Sequence, residues 1–171
     1  MQPILETDRL RLRTFTLDDT AFIIALLNSP GWLQFIGDRN VTTSDQARRY
    51  LENGPFKSYA DHGYGLSLVE RKADGQPVGM TGILHRQHLA HPDLGFALLP
   101  DCTGQGYALE IVTALLEHAR REWHLSEILA IALPGNSRSI RLLEKLGFVF
   151  VESILLPQGE ETLQLYRNAQ E

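Results

Sequence analysis

Apolar residues along this chain follow two periods, and each change of period marks an element. Leu10, Leu12 and Phe15 alternate with Arg9, Arg11 and Arg13, which predicts a half-buried strand with a basic outer face. Phe22, Ile23, Leu26 and Leu27 then return at helical spacing, with Asp18 or Asp19 as the cap and a stop at Asn28-Ser29-Pro30. The apolar segment Trp32 to Gly37 separates this helix from a second one. Ser44 or Thr43 opens that helix, which runs through Ala47, Tyr50 and Leu51 and ends at Asn53-Gly54-Pro55. Gly63 to Arg71 and Pro77 to Arg86 read as a hairpin across Lys72-Ala73-Asp74-Gly75-Gln76, which carries the Asp-Gly turn signal.

The second half is patterned more strongly. The continuous apolar run Leu94 to Leu99 predicts a buried strand ended by Pro100-Asp101. Ala108, Ile111, Val112, Leu115, Leu116, Ala119 and Trp123 recur at i, i+3, i+4 spacing, an amphipathic helix. Ile128 to Leu133 forms another short strand. Pro134-Gly135-Asn136 precedes a helix that runs to Leu146, with Asn136 as N-cap and Gly147 just past the end. Val149 to Leu156 and Thr162 to Tyr166 pair around Pro157-Gln158-Gly159-Glu160. With no repeat, linker or low-complexity tract, residues 1–171 read as a single mixed α/β domain.

Composition narrows the class. A chain of 171 residues, 43% hydrophobic and 22% charged, is long enough to bury a core and too apolar to be disordered. Its net charge of −5 argues against nucleic acid, whose binding surfaces are basic. The single cysteine, Cys102, excludes an intramolecular disulfide framework and fits a reducing compartment. The opening residues carry charges where a signal peptide needs an apolar core, and no apolar run reaches membrane-spanning length. A cytoplasmic protein without membrane contact is expected.

Between the predicted strand 94–99 and the long helix lies Thr103-Gly104-Gln105-Gly106-Tyr107-Ala108. Strand, glycine-rich turn and helix start form an anion-binding arrangement. The first helical N–H groups lack intrahelical acceptors and carry the positive end of the helix dipole. Glycine lets the backbone approach an anion closely. An ordinary strand-to-helix loop is the competing reading. Tyr107-Ala108 stand where a Walker A loop needs Lys and Ser/Thr, and Leu109 stands where a dinucleotide fingerprint needs its third glycine.

The pattern x-x-Gly-x-Ala opening a helix resembles the acyl-CoA pyrophosphate loop of the GNAT acyltransferase superfamily, with Thr103 departing at the first position. The sequence Gly104-Gln105-Gly106-Tyr107-Ala108, and the opening run Leu5 to Arg13, are similar to the ribosomal-protein N-acetyltransferase-like (RimJ/RimL-type) branch. Asn136-Ser137-Arg138-Ser139 followed by Glu144-Lys145-Leu146-Gly147-Phe148 resembles a further segment of that family. The resemblance implies a GNAT fold, a mixed and mostly antiparallel central sheet with a splayed strand pair, flanked by helices. It implies N-acyl transfer from acetyl-CoA, the default donor, to a primary amine, by direct attack on the thioester and without a metal. It implies as acceptor a small molecule or a protein N-terminus, and a chain that is a monomer or homodimer, with no nucleic acid. The competing reading is a non-catalytic acyl-CoA-binding sensor or interaction module.

The resemblance also implies roles for single residues. Thr103, Gly104, Gln105, Gly106, Tyr107 and Ala108 would hold the pyrophosphate. Phe96, Ala97, Leu98 and Leu99 would offer backbone groups to pantetheine. Asn136 would hydrogen-bond the pantetheine arm, Ser139 would lie near the thioester as an acid, and Arg138 would face the 3′-phosphate. Leu143 stands where the family often carries a tyrosine acid, but a thiolate leaves without much help, since a thiol pKa is about 8.5. Asp93, at the head of the central strand, is the candidate base, raised in pKa by apolar neighbours; a solvated carboxylate at a strand end is the alternative. Trp32, Phe35 and Tyr64 are candidates for the acceptor pocket, against the alternative of core packing. His85, His88 and His91 lie three apart, but no helix supports that spacing across Pro92 and no further ligand completes a metal site. Cys102 reads as a packed thiol rather than a nucleophile.

Overall fold

A computed structural model describes residues 2–157 and 159–169. Eight strands form one sheet: β1 (Leu5–Glu6), β2 (Leu10–Arg13), β3 (Ser67–Arg71), β4 (Pro77–Leu84), β5 (Asp93–Leu98), β6 (Glu127–Ala132), β7 (Val149–Ile154) and β8 (Leu163–Ala169). Their order across the sheet is β1-β2-β3-β4-β5-β6-β8-β7. Every neighbouring pair is antiparallel except β5 and β6, which run parallel and share one register pair, Asp93 with Leu129. The Leu129 amide donates to Pro92 O at 2.8 Å, and beyond that point the two strands diverge. The expected splayed pair is therefore present, closed at the amino ends and open at the carboxyl ends.

Helices cover both faces because the central strands are apolar on both. In β3, Leu68 and Val69 point to opposite sides, as strand alternation requires. Val69 joins Leu10, Leu12 and Ile83 beneath Ile111, Val112, Leu115 and Ala119 of helix α5 (Tyr107–Glu122). Leu68 and Met80 meet Ile23, Leu26 and Leu27 of α1 (Thr20–Leu27) and Ala47 and Leu51 of α3 (Ser44–Leu51). A last helix, α6 (Ser137–Lys145), begins at Asn136, whose Oδ1 accepts the Ser139 amide at 3.3 Å, and the chain leaves it through Gly147 at φ +90°.

Several expectations at the amino-terminal end need correction. Asp19 stands at the N-cap of α1, as expected, but makes no side-chain cap bond there; Thr16 caps the preceding turn (Leu17–Asp19), in a reciprocal box with Asp19. Pro30 starts a helix as well as following one: α2 (Pro30–Phe35) carries Pro30 at its first position, where a missing N–H costs nothing. Trp32 to Phe35 is therefore helical. Pro55 likewise does not end the second helix. The chain widens into a π-helical turn over Glu52–Phe56, which accommodates the missing donor, and continues as α4 (Lys57–His62) until Gly63 at φ +80°. The run 94–99 is fully buried only at Leu94, with Gly95 to Leu99 half-buried, because the sheet opens beside them. Gln158, in the expected turn between β7 and β8, lies outside the described residues.

Candidate acyl-CoA and amine site

The open mouth between β5 and β6 lies at the carboxyl ends of two parallel strands, where α/β sheets bind ligands. Strand alternation fixes which groups face it. The Leu99 amide donates to Val78 O at 2.9 Å, so residues 95, 97 and 99 direct their backbone groups at β4. Pro92 O accepts from Leu129, so residues 92, 94, 96 and 98 direct theirs at β6. Since β6 has diverged past Asp93, the N–H groups of Phe96 and Leu98 point into the gap. Of the four residues expected to serve pantetheine, Ala97 and Leu99 have their amides committed to β4.

At the far end of β5 the chain makes a short 3-10 turn, Pro100–Cys102, and enters the glycine loop. Gly104 and Gly106 take φ +75° and +81°, which a side chain at either position would strain. A Cβ at Gly104 would meet nothing within 4 Å, so the loop is open on that side. Gly106 is the N-cap of α5 and has no side chain to satisfy the first helical amides. The loop's own side chains are turned to internal work. Thr103 Oγ1 donates to Pro100 O at 2.9 Å, and Gln105 Nε2 donates to Asp101 O at 3.1 Å. Arg9 clamps the helix start from β2. It donates to Gln105 O at 2.9 Å, pairs with Glu110 at 3.0 Å and lies 4.6 Å over the Tyr107 ring. Glu110, which would otherwise repel an anion at this helix end, is thus neutralised.

Next to the gap lies a cleft of about 1260 Å³, between the sheet and helices α2 to α4. It is lined by Leu94, Gly95 and Phe96 of β5, by Asn136 and Ser139, and by Trp32 and Phe35. Asn136 uses Oδ1 on its own helix, so its two amide hydrogens are available to a ligand. Asp93 sits at the vertex, fully buried, with Arg86 Nε 3.2 Å from Oδ2. That contact is an ion pair without hydrogen-bond alignment, and no aligned donor reaches either carboxylate oxygen among the described residues. Burial therefore dominates and pushes the carboxyl up to about 6, with Arg86 pulling in the opposite direction.

One residue expected in the acceptor pocket is not brought to this cleft. Tyr64 packs between His62 and Trp123, at centroid distances of 5.9 and 5.0 Å, and lines a separate cavity of about 190 Å³. Arg138, expected at the coenzyme's 3′-phosphate rather than in this cleft, is exposed. The histidine series separates as well. His85 stacks on His62 at 4.3 Å, whereas His91 pairs with Glu127 at 3.3 Å. Among the described residues no group of three His, Cys, Asp or Glu is placed to hold a metal. Cys102 is buried. Among the described residues no helix is long and apolar enough to cross a membrane. The cleft also contains residues for which sequence reasoning gave no site role: Arg39, Arg49, Tyr50 and Arg86. The Tyr50 hydroxyl is raised in pKa by burial and lowered by Arg39 and Arg86. Arg49 and Tyr50 come from α3, Arg39 from the segment before it and Arg86 from the loop after β4, so only their convergence in space identifies them.

The sequence profile of the acetyltransferase (GNAT) domain matches residues 9–149, and the chain belongs to the GNAT acetyltransferase family. It is 30% identical to the protein YkkB of Bacillus subtilis (strain 168), over 88% of this chain and 87% of that one. The same fold is found in RimL, a ribosomal L7/L12 alpha-N-protein acetyltransferase solved with coenzyme A. That match has TM-score 0.81 and 16% identity, and covers 98% of each chain. It is found again in spermidine N-acetyltransferase from Vibrio cholerae, solved with CoA and spermine, at TM-score 0.79 and 17% identity over 96% of this chain and 97% of that one.

Proposed function

We propose that this acetyltransferase moves an acetyl group from acetyl-CoA to a primary amine bound in the cleft beside β5. The observation that carries the reading is the single register pair between β5 and β6. It leaves two amide donors facing a gap that runs from the glycine loop to the buried Asp93. The coenzyme fits that gap by complementary chemistry. Pyrophosphate suits the uncapped amides at the start of α5. Pantetheine suits the N–H groups of Phe96 and Leu98 and the free amide hydrogens of Asn136.

The amine nitrogen attacks the thioester carbonyl carbon, the C–S bond breaks, and CoA leaves as the thiolate. Ser139, lining the cleft, hydrogen-bonds the departing sulfur and relays to it a proton from solvent water, which restores the serine hydroxyl as the thiolate becomes the thiol. Asp93 accepts the proton lost by the amine, relayed by a water, since the carboxylate is at the vertex rather than on the cleft wall. A carboxyl near 6 is ionised at neutral pH yet basic enough for this role. A domain that only bound acyl-CoA would gain nothing from a buried carboxylate that burial disfavours.

The test is calorimetric titration with acetyl-CoA, with ATP and NAD as controls, followed by thiol release over a panel of amines. Binding of acetyl-CoA alone, with amine-dependent release of CoA, is expected. A folded sample that binds neither acetyl-CoA nor a longer acyl-CoA would overturn the coenzyme assignment. Binding without turnover of any amine would overturn the enzymatic one.

A further inference from the structure

The charge of the acceptor cleft opposes that of the whole chain. The protein carries a net charge of −5, yet the cleft wall presents Arg39, Arg49, Lys57 and Arg86 against one acid, Asp61. Asp61 is matched to Lys57 at 2.5 Å, and Arg86 is matched to Asp93 at 3.2 Å. Arg39 and Arg49 have no ion-pair partner among the described residues. Asp38, the neighbour of Arg39 in sequence, does not line the cleft, and its Oδ1 accepts the Asn40 amide at 2.8 Å. Both guanidinium groups are exposed, so they meet the cleft from its solvent side.

Two exposed guanidinium groups without ion-pair partners, on a wall with excess positive charge, call for the same complement, an anionic oxygen. We propose that the acceptor is a small amine that also bears an anionic group, a carboxylate or a phosphate, held by Arg39 and Arg49. This rests on the acyl-transfer reading above. Guanidinium forks fit both groups. A polyamine fits poorly, because it would add positive charge to a wall that already holds an excess of it. The size is that of a small molecule, since the 1260 Å³ must also admit the acyl end of pantetheine.

The test uses thiol release at saturating acetyl-CoA, with rates referred to the free-amine concentration. Each common α-amino acid is compared with its carboxamide, phosphoethanolamine with ethanolamine, and all of them with spermidine and an acidic hexapeptide. At least one anionic amine should exceed its neutral counterpart tenfold or more in kcat/KM, and whether it is the amino acid or the phosphate identifies the anion. In R39Q/R49Q that ratio should collapse toward one, through a rise in KM for the anionic amine, while the KM for acetyl-CoA stays put. Turnover that favours the carboxamides, spermidine or the peptide overturns the inference and leaves acyl transfer standing. A weakened acetyl-CoA affinity in R39Q/R49Q also overturns it, because the arginines would then serve the coenzyme's phosphates. Should no amine react, acyl transfer itself falls. Calorimetry of N-acetyl amino acids against their carboxamides on the CoA-saturated protein then decides the anionic subsite, and equal binding of the two overturns it.

Discussion

At the scale of single residues, Asp93 binds stability and activity together with opposite signs. Its folded pKa of about 6 lies above the ordinary value of 3.8, so the unfolded chain releases this proton first as pH rises. Below about pH 4 both states are protonated and the group is neutral to folding. Between 4 and 6 stability falls as pH rises, and above 6 a fixed penalty of about 3 kcal/mol remains. Asp93→Asn keeps the shape and removes the charge, and Arg86, 38% exposed, can turn to solvent. The variant should therefore be more stable than the parent by about 1–3 kcal/mol at pH 8 and equal to it near pH 4, as urea unfolding at both values would report. Its kcat/KM should fall about a hundredfold or more. In the parent, log kcat/KM should climb with a slope of two below pH 6, one proton from Asp93 and one from the amine, and with a slope of one above it. In the variant only the slope of one should remain. A variant less stable at pH 8, with an unchanged profile, would mean that Asp93 is an anchor for Arg86 and not a base.

At the scale of elements, β5 carries the recognition, and its alternation makes a sharp claim. The amides of Ala97 and Leu99 are committed to β4, whereas those of Phe96 and Leu98 face the gap. Hydrogen exchange followed by NMR should find Phe96 and Leu98 exchanging fast in the free protein and at least tenfold slower with acetyl-CoA, with Ala97 and Leu99 slow in both. Slow exchange at all four without ligand would mean that β5 and β6 close on each other. Much of this element was legible beforehand. The apolar run, the glycine turn and the period of α5 are local signals, as are Asn136 as a cap and Gly147 as a helix end. The half-exposure of residues 95–99 was not, because an apolar run reads as buried until the neighbouring strand is seen to diverge. Pro30 and Pro55 misled for a related reason. A proline signals a break locally, but a first helical position or a π-turn absorbs the missing N–H. The cleft cations were invisible for a third reason: Arg39, Arg49 and Arg86 share no local motif and line one cleft only once the helices fold over the sheet.

At the scale of the whole molecule, the gap that admits the coenzyme divides the sheet. Strands β1 to β5 form one ladder and β6, β8 and β7 another, joined along the sheet by the pair Asp93 with Leu129. Cohesion across the division comes from the apolar layer beneath α5. There Ile111, Val112, Leu115 and Leu116 share one cluster with Leu12 and Val69 from the first ladder and with Ile128, Ala130 and Tyr166 from the second. A ligand that inserts between β5 and β6 and touches both halves adds contacts that the unfolded chain cannot make. Acetyl-CoA at a hundred times its Kd should add about 2.7 kcal/mol. For a chain of this length that corresponds to a rise in Tm of roughly 5–11 °C, and the rise should keep growing with the logarithm of concentration. A fragment that reaches only the glycine loop, 3′,5′-ADP, should give a much smaller shift at the same concentration, because it engages one half of the sheet. Equal shifts from the fragment and the whole coenzyme at equal saturation, read by scanning calorimetry, would follow from saturation alone and say nothing of bridging. The discriminating quantity is therefore the ratio of their Kd values. Acetyl-CoA should bind at least tenfold more tightly than 3′,5′-ADP, and in a variant carrying Asn136→Ala that advantage should shrink while the affinity for 3′,5′-ADP holds. An advantage that survives Asn136→Ala unchanged would place the pantetheine arm away from the second half of the sheet.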